Sequence, residues 1–173
     1  MESREREVLR YNIPHPGQAL ILNHPARFRV VACGRRFGKT ELAKLDVIIT
    51  AQDGGVAWWV LPTYSMAQDV WSDLVRMLEP LDGIKISQSK YTIHFPDAGS
   101  ISIKSGHNPA RLRGSGLDSV VIDEAAFCHE DVWHVLRPAL ADRSGKALLL
   151  STPQGRNWFW QLYQKGFDPL EPE

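Results

Sequence analysis

Short, continuously apolar runs alternate along this chain with longer segments in which apolar residues recur at helical spacing. The runs at residues 28–33, 56–61, 120–122 and 147–151 predict β-strands, and the third leads directly into Asp123. Because these runs are apolar throughout, we expect all of them to be buried central strands. Helices are predicted between and after them, at residues 39–51, 65–78, 132–140 and 158–165. Such alternation is typical of the α/β class, a mainly parallel central sheet flanked by helices.

The middle of the chain adds an amphipathic helix and a hairpin. The helix predicted at residues 65–78 has one apolar face, which we expect to pack on the sheet. This face comprises Ala67, Val70, Trp71, Leu74, Val75 and Leu78. Residues 91–95 and 100–104 alternate like strands around the turn-forming sequence Pro-Asp-Ala-Gly. This second pattern predicts a β-hairpin.

Length and composition limit the number of domains and the kinds of partner and metal site that we expect. The 173 residues suit one domain, so residues 1–173 are expected to form a single unit, with the acidic, proline-containing residues 167–173 beginning a linker. Lys plus Arg number 20 and Asp plus Glu number 20, so any nucleic-acid contact must be local. Cys33 and Cys128 lack metal-ligand spacing. A charged N-terminus and the lack of a long apolar run predict a soluble, unexported protein.

The most informative stretch is VVACGRRFGKT at residues 30–40, where an apolar strand leads into a glycine-containing turn and then a helix. Binding of a nucleoside triphosphate needs this order, because backbone N–H groups of the turn and the helix N-terminus attract phosphate. Lys39 would reach the β- and γ-phosphates, and the Thr40 hydroxyl would bind Mg²⁺. The stretch departs from G-x-x-x-x-G-K-[ST], because Cys33 occupies the position of the first glycine and Gly34 follows it.

The turn supplies the candidate nucleotide-binding residues. They are Gly34, Arg35, Arg36, Phe37, Gly38, Lys39 and Thr40. Gly38 allows the backbone to curl around phosphate. Arg35 would neutralise charge that develops on the γ-phosphoryl group. The alternatives are that Gly-Lys-Thr merely begins a helix, and that the arginines are solvated and contact carboxylates elsewhere.

Two carboxylates follow the apolar run at residues 120–122. Asp123 and Glu124 stand at the C-terminal end of a buried strand, where parallel α/β sheets bind their ligands. Asp123 is a candidate to hold Mg²⁺ indirectly, for example through a water molecule. Glu124 is a candidate to orient and deprotonate the water that attacks the γ-phosphorus. Alone, such a pair would indicate a strand followed by a helix cap, but the phosphate-binding turn favours the catalytic interpretation.

The last predicted strand ends in a polar turn that contains Ser151 and Thr152. Hydroxyl groups at this position could sense the γ-phosphate and transmit its loss to the following segment. An aromatic helix start at residues 158–160 follows the turn. We expect these aromatic side chains simply to pack on the core.

With these motifs in this order, the chain resembles the N-terminal ATPase domain of the large terminase subunits of tailed bacteriophages. Those domains are P-loop NTPases of the RecA-like type that uses a catalytic glutamate. The resemblance covers nearly all of the chain. It is carried by PGQALIL at Pro16–Leu22, GRRFGKT at residues 34–40, LPTYSMAQDVW at 61–71, RLRGSGLDSVVIDEAAF at 111–127 and STPQGRNWF at 151–159.

The resemblance implies a Mg²⁺-dependent, ATP-hydrolysing motor and assigns roles to individual residues. Gln18 corresponds to the glutamine that reads adenine, and Arg35 to the arginine of the terminase Walker A motif. The absence of the first glycine, at Cys33, is also typical of this family. The other correspondences are Lys39 for phosphate, Thr40 and Asp123 for Mg²⁺, Glu124 for catalysis, and Ser151 and Thr152 for coupling hydrolysis to movement.

The resemblance also implies partners and a location. Terminases move double-stranded DNA into a procapsid as a homo-oligomeric ring, expected to be a pentamer, with the portal protein and the small terminase subunit as partners. They act in the cytoplasm of the infected bacterium, at the portal vertex and without a membrane. A monomer with slow turnover is the expectation for the isolated domain. A neighbouring subunit supplies an arginine, for which Arg76, Arg111 and Arg113 are candidates.

Complete large terminases continue into a nuclease domain that these residues do not include, so we expect no DNA cleavage. The chain would be either an isolated motor domain or the product of a naturally shortened gene. A helicase-like translocating ATPase shares the same catalytic core, but it would need a second RecA-like domain. A nucleotide-binding module without turnover is the alternative from a different class.

Overall fold

A computed structural model describes residues 13–114 and 116–167 of the chain. Its helices are α1 (Pro16–Leu22), α2 (Lys39–Gln52), α3 (Tyr64–Leu78), α4 (Asp131–Ala139) and α5 (Trp158–Lys165). Its strands are β1 (Phe28–Ala32), β2 (Val56–Leu61), β3 (Lys85–Ser87), β4 (Thr92–His94), β5 (Ser100–Ser105), β6 (Ser119–Asp123) and β7 (Lys146–Ser151). Short 3₁₀ helices lie at Gln88–Lys90, Pro109–Leu112 and Ala125–Phe127.

The strands form one mixed sheet in the order β1-β7-β6-β2-β5-β4-β3. Strands β1, β7, β6, β2 and β5 are mutually parallel, whereas β4 runs antiparallel to both β5 and β3. The parallel strands therefore all end at one edge of the sheet, called here the carboxyl edge. In register, Ala32 pairs with Ser151, and Asp123 pairs with Leu150. The loops that follow β1, β6 and β7 consequently emerge side by side.

Helices cover both faces of the sheet. One face packs against α2 and α3, and the other against α4 and α5. Neighbouring residues of β6 divide between these cores, since Val121 joins the first, whereas Val120 and Ile122 join the second. All three side chains are fully buried. Burial on both faces explains why this strand is apolar throughout, as the α/β prediction required.

The predicted helix at residues 65–78 and the hairpin at 91–95 and 100–104 are confirmed by α3 and by the β4–β5 pair. Of the predicted apolar face of α3, four residues are buried and two are partly buried against the same core. The buried ones are Ala67, Trp71, Leu74 and Leu78, and the partly buried ones are Val70 and Val75.

The prediction that every apolar run forms a central strand is wrong for residues 28–33. Strand β1 ends at Ala32 and pairs with β7 alone, so it lies at the edge of the described sheet. Only Arg29 of β1 is buried, and its other side chains are half-buried. Its apolar side chains pack against neighbouring helices, for example Phe28 edge-on against Trp133 of α4, with 5.2 Å between the ring centroids.

The sequence patterns missed α1 and β3. Helix α1 is only 7 residues long and β3 only 3, too short for a helical or a strand periodicity to be recognised. The predicted linker at residues 167–173 lies almost entirely outside the described residues. Within the described ranges, no helix is long and apolar enough to cross a membrane.

A buried polar cluster ties together the elements that lead into the carboxyl edge. Asp46 of α2 accepts a hydrogen bond from Arg29 Nη2 of β1 at 2.6 Å and another from Ser119 Oγ of β6 at 2.8 Å. Arg29 Nη1 also donates to the carbonyl oxygen of Ile21 in α1, at 3.2 Å. Asp46, Arg29 and Ser119 are all 8% exposed or less. We call this cluster the Asp46 junction.

Candidate nucleotide-binding site

The loop between β1 and α2 has the curled backbone that phosphate binding requires. Arg36 and Gly38 both adopt left-handed conformations, with φ of 66° and 86°. Gly38 is the N-cap of α2, so the first turn of this helix follows the loop directly. Alternation of left- and right-handed residues points successive N–H groups into one concavity, and the helix N-terminus adds partial positive charge. The backbone therefore has the shape of an anion cradle.

Lys39 connects this loop to the ends of the neighbouring strands. Its side chain is only 9% exposed. The Nζ atom donates to Thr152 Oγ1 at 3.0 Å and lies 3.5 Å from Glu124 Oε1. The structure thus brings together the predicted phosphate-binding lysine, the predicted catalytic glutamate and the predicted sensor threonine.

The acidic pair occupies contrasting environments. Asp123 is the last residue of β6 and is 4% exposed, whereas the side chain of Glu124 is 25% exposed. Burial and the charge of Glu124 raise the pKa of Asp123 to about 6. This rise is partly opposed, because the Glu124 N–H donates to Asp123 Oδ1 at 3.0 Å and Lys39 attracts the carboxylate. A cation bound beside Asp123 would favour its ionised form.

Glu124 is held in an unusual backbone conformation. Its φ of 50° lies in the left-handed region, which is strained for a residue with a Cβ atom. Ser151 Oγ lies 3.3 Å from Glu124 Oε2, and the Thr152 N–H donates to the same oxygen at 3.4 Å. Ser151 Oγ also accepts from the N–H of Ala126, at 3.2 Å. These contacts from β7 fix both the turn after β6 and the carboxylate that it carries.

Helix α1 reaches the phosphate loop from the other side. Gln18 is 6% exposed, and its Nε2 donates to the carbonyl oxygen of Gly38 at 3.0 Å. His15 caps α1 and places Nε2 3.0 Å from the carbonyl oxygen of Phe37. The sequence analysis found Gln18 but missed His15. Helix N-caps are usually Ser, Thr, Asp or Asn, so the available signal was the glutamine at the third helical position.

The remaining candidates lie at the surface of the loop. Gly34, Arg35, Arg36 and Thr40 are exposed, whereas Phe37 is half-buried and contacts the His15 ring edge-on. Cys33, at the position of the missing glycine, is half-buried, and burial raises the pKa of its thiol. The exposed arginines border the cradle without occupying it.

The donor atoms at this edge suit magnesium bound through a nucleotide. Thr40 offers a hydroxyl and Asp123 a carboxylate, both hard oxygen donors. Among residues 13–114 and 116–167, no group of three or more His, Cys, Asp or Glu could enclose a metal ion. Mg²⁺ is commonly held by one or two protein oxygens together with substrate phosphates, so this sparse donor set fits it.

The candidate trans-acting arginines lie at different ends of the sheet. Arg111 and Arg113 are exposed within and just after the 3₁₀ helix that follows β5, on the carboxyl-edge side. Arg76 is in the last turn of α3, which begins just after β2 reaches the carboxyl edge. A helix of 15 residues is about 22 Å long, so Arg76 stands near the opposite edge. Arg111 and Arg113 therefore lie closer to the carboxyl edge of their own subunit than Arg76 does.

The chain is similar to individual large terminases, although no protein-family model matches it. The large terminase subunit of Thermus phage G20c is 32% identical over 184 residues, covering 93% of this chain and 38% of that protein. The large terminase ATPase domain of Thermus phage P74-26 superposes with a TM-score of 0.80 at 30% identity, covering 91% of this chain and 72% of that one.

A more distant solved structure supports the fold alone. The large terminase of another thermophilic bacteriophage, in complex with ATP-γ-S, has a TM-score of 0.71 at 18% identity. The match covers 90% of this chain and 42% of that one. The described sheet and its flanking helices are therefore shared well beyond the range of close sequence similarity.

Proposed function

Because the chain belongs to the family of phage large terminase ATPase domains, which have the P-loop NTPase fold, we propose that it is the motor ATPase of a DNA-packaging terminase. It binds ATP with Mg²⁺ at the carboxyl edge, hydrolyses it and uses the cycle to move double-stranded DNA into a procapsid. The observation that carries this proposal is the convergence of Lys39, Glu124 and Thr152, within 3.5 Å of the lysine nitrogen.

Binding begins with the phosphate chain in the curled loop. The N–H groups of residues 34–40 and the N-terminus of α2 surround the phosphates, and Lys39 contacts the β- and γ-phosphoryl oxygens. Gln18, already attached to the loop, reads the adenine edge. Arg35 stands at the exposed side of the loop, where a cation would stabilise the charge of the γ-phosphoryl group.

Hydrolysis depends on the carboxylate of Glu124. This side chain is partly exposed and accepts hydrogen bonds from the β7 turn, so it can orient a water molecule and take its proton. When bound through Thr40 and Asp123, Mg²⁺ would neutralise phosphate charge. Loss of the γ-phosphate would release Lys39 to its protein partners. Thr152 is one of them, so the change would reach the segment that leads to α5.

The chain spans 38% of the length of its curated relatives. Its assembly and partners are therefore part of the same proposal. Those relatives are named large terminase subunits, and the ATPase domain from phage P74-26 is the structural counterpart of this chain. We propose a homo-oligomeric ring, with portal protein and small terminase subunit as partners, in the host cytoplasm at the portal vertex. Arg111 or Arg113 would reach the nucleotide of a neighbouring subunit.

The test combines nucleotide binding with turnover. We expect ATP-γ-S with Mg²⁺ to raise the melting temperature of the chain and Lys39→Ala to abolish this rise. We expect phosphate release from ATP to increase with double-stranded DNA and less with single-stranded DNA of equal length. Binding without phosphate release under any condition would favour the nucleotide-binding module. Preferential stimulation by single-stranded DNA would favour the helicase-like alternative.

A further inference from the structure

Both ring nitrogens of His15 have hydrogen-bonding partners. Nδ1 faces two N–H donors, those of Gly17 at 3.1 Å and Gln18 at 3.4 Å. Nε2 lies 3.0 Å from the carbonyl oxygen of Phe37, which can only accept. A neutral imidazole with its proton on Nε2 satisfies all three contacts. An imidazolium would direct an N–H at two other N–H groups.

His15 and Gln18 also fix one another. The His15 backbone N–H donates to Gln18 Oε1 at 3.0 Å, which turns the amide nitrogen of Gln18 toward the carbonyl oxygen of Gly38. The His15 ring meets the Phe37 ring edge-on, with centroids 4.9 Å apart. Helix α1 is thus attached to two consecutive carbonyl groups of the phosphate loop, one through each side chain.

We propose that His15 is a positioning residue for nucleotide recognition, which holds Gln18 and the phosphate loop in one arrangement. This inference rests on the proposed function, because Gln18 is the residue that would read the base. Loss of the His15 ring releases Phe37 from α1 and lets the Gln18 amide turn. ATP then binds more weakly, and the preference for adenine over guanine falls.

A pure capping role for His15 is the competing explanation, and His15→Asn separates the two. Asparagine is among the best N-cap residues, so it preserves the start of α1, but it is too short to reach the Phe37 carbonyl group. His24 provides the matched control, because its Nδ1 likewise accepts from a backbone N–H two residues on, that of Ala26 at 3.2 Å. His24 lies at the other end of α1, away from the loop.

The experiment measures the Kd of fluorescent ATP and GTP analogues for the wild type, His15→Asn and His24→Asn. We expect His15→Asn to weaken ATP-analogue binding roughly tenfold, the equivalent of about one hydrogen bond, and to reduce the ATP-to-GTP preference. His24→Asn should leave both quantities unchanged. Unchanged affinity and preference in His15→Asn would overturn the inference, and complete absence of wild-type binding would instead overturn the proposed function.

Discussion

Lys39 and Glu124 form an ion pair of 3.5 Å across the carboxyl edge of the sheet, one at the start of α2 and the other directly after β6. The cation that would hold phosphate therefore lies against the carboxylate that would activate water. Thr152 contacts both, since its hydroxyl accepts from Lys39 and its N–H donates to Glu124. The proposed binding and hydrolysis would therefore be linked through Lys39, Glu124 and Thr152.

Glu124→Gln tests whether Glu124 is needed for hydrolysis but not for nucleotide binding. The amide keeps the size of the side chain but can no longer accept a proton, so we expect phosphate release to fall by about 10²- to 10⁴-fold. Binding of ATP-γ-S should persist, because the phosphate cradle is built from other residues. The matched control is Glu130→Gln, which alters an exposed carboxylate that forms an ion pair with His134. Hydrolysis that survives in Glu124→Gln would exclude Glu124 as the base.

Gly38→Ala and Gly34→Ala should differ sharply in stability. A Cβ atom at Gly38 would lie 2.5 Å from Gln18 Nε2, on a backbone with φ of 86°. At Gly34 a Cβ atom meets nothing within 4 Å. We expect Gly38→Ala to cost about 1 to 3 kcal/mol and to prevent nucleotide binding, while Gly34→Ala unfolds at the wild-type temperature. Thermal unfolding followed by circular dichroism provides the measurement, and equal melting temperatures for the two variants would refute the steric argument.

Asp123→Asn should stabilise the metal-free protein in a pH-dependent way. The pKa of Asp123 is raised from 3.8 to about 6, so between these values the folded state binds more protons than the unfolded state. Stability from this group therefore decreases as pH rises through that window, and above it the full cost is on the order of 2 to 3 kcal/mol. In EDTA, we expect Asp123→Asn to melt several degrees higher than the wild type at about pH 8.

The same variant should lose that advantage when the solution is acidified to about pH 4, where Asp123 is protonated in the folded wild type. A melting difference that stays constant across the pH range would mean that the ionisation of Asp123 carries no cost. Added Mg²⁺ and ATP-γ-S should stabilise the wild type and not Asp123→Asn, which reverses the order of the two proteins.

Asp46→Ala should be among the most destabilising single changes in the chain. It would leave the Arg29 guanidinium buried without its carboxylate, which typically costs about 3 to 5 kcal/mol. Arg76→Ala is the comparison, since Arg76 is 78% exposed and 4.0 Å from Asp73, and we expect a change within about 0.5 kcal/mol. Urea titration of both variants measures the difference. A small effect of Asp46→Ala would show that the junction is dispensable for folding.

The parts of the fold that could be predicted from sequence are those in which one periodicity covers a whole element. The apolar runs of β2, β6 and β7 and the amphipathic face of α3 belong to this class. The edge position of β1 could not be predicted, because a strand that packs against a core on each face has the same apolar pattern at the edge as at the centre of a sheet. Strand order depends on contacts between distant segments, which a local pattern does not contain.

The parts of the candidate site that could be predicted are those in which a sequence motif implies one kind of chemistry. The strand, glycine turn and Lys39 imply phosphate, and Glu124 follows from its place after an apolar strand. The role of His15 was not predictable, because it arises from a hydrogen bond to a carbonyl group in a loop that lies 22 positions away. The hydrogen bond from the Thr152 N–H to the Glu124 carboxylate likewise joins segments that are distant in sequence.

The Asp46 junction has a consequence for how force could be generated. Asp46 of α2 accepts hydrogen bonds from Arg29 of β1 and Ser119 of β6, and Arg29 also donates to α1, so separate movement of these elements would break a buried hydrogen bond. If the chain acts as the proposed motor, we expect nucleotide-dependent movement in the segment that leaves the site at Thr152 and continues through α5, because no hydrogen bond of the Asp46 junction involves that segment.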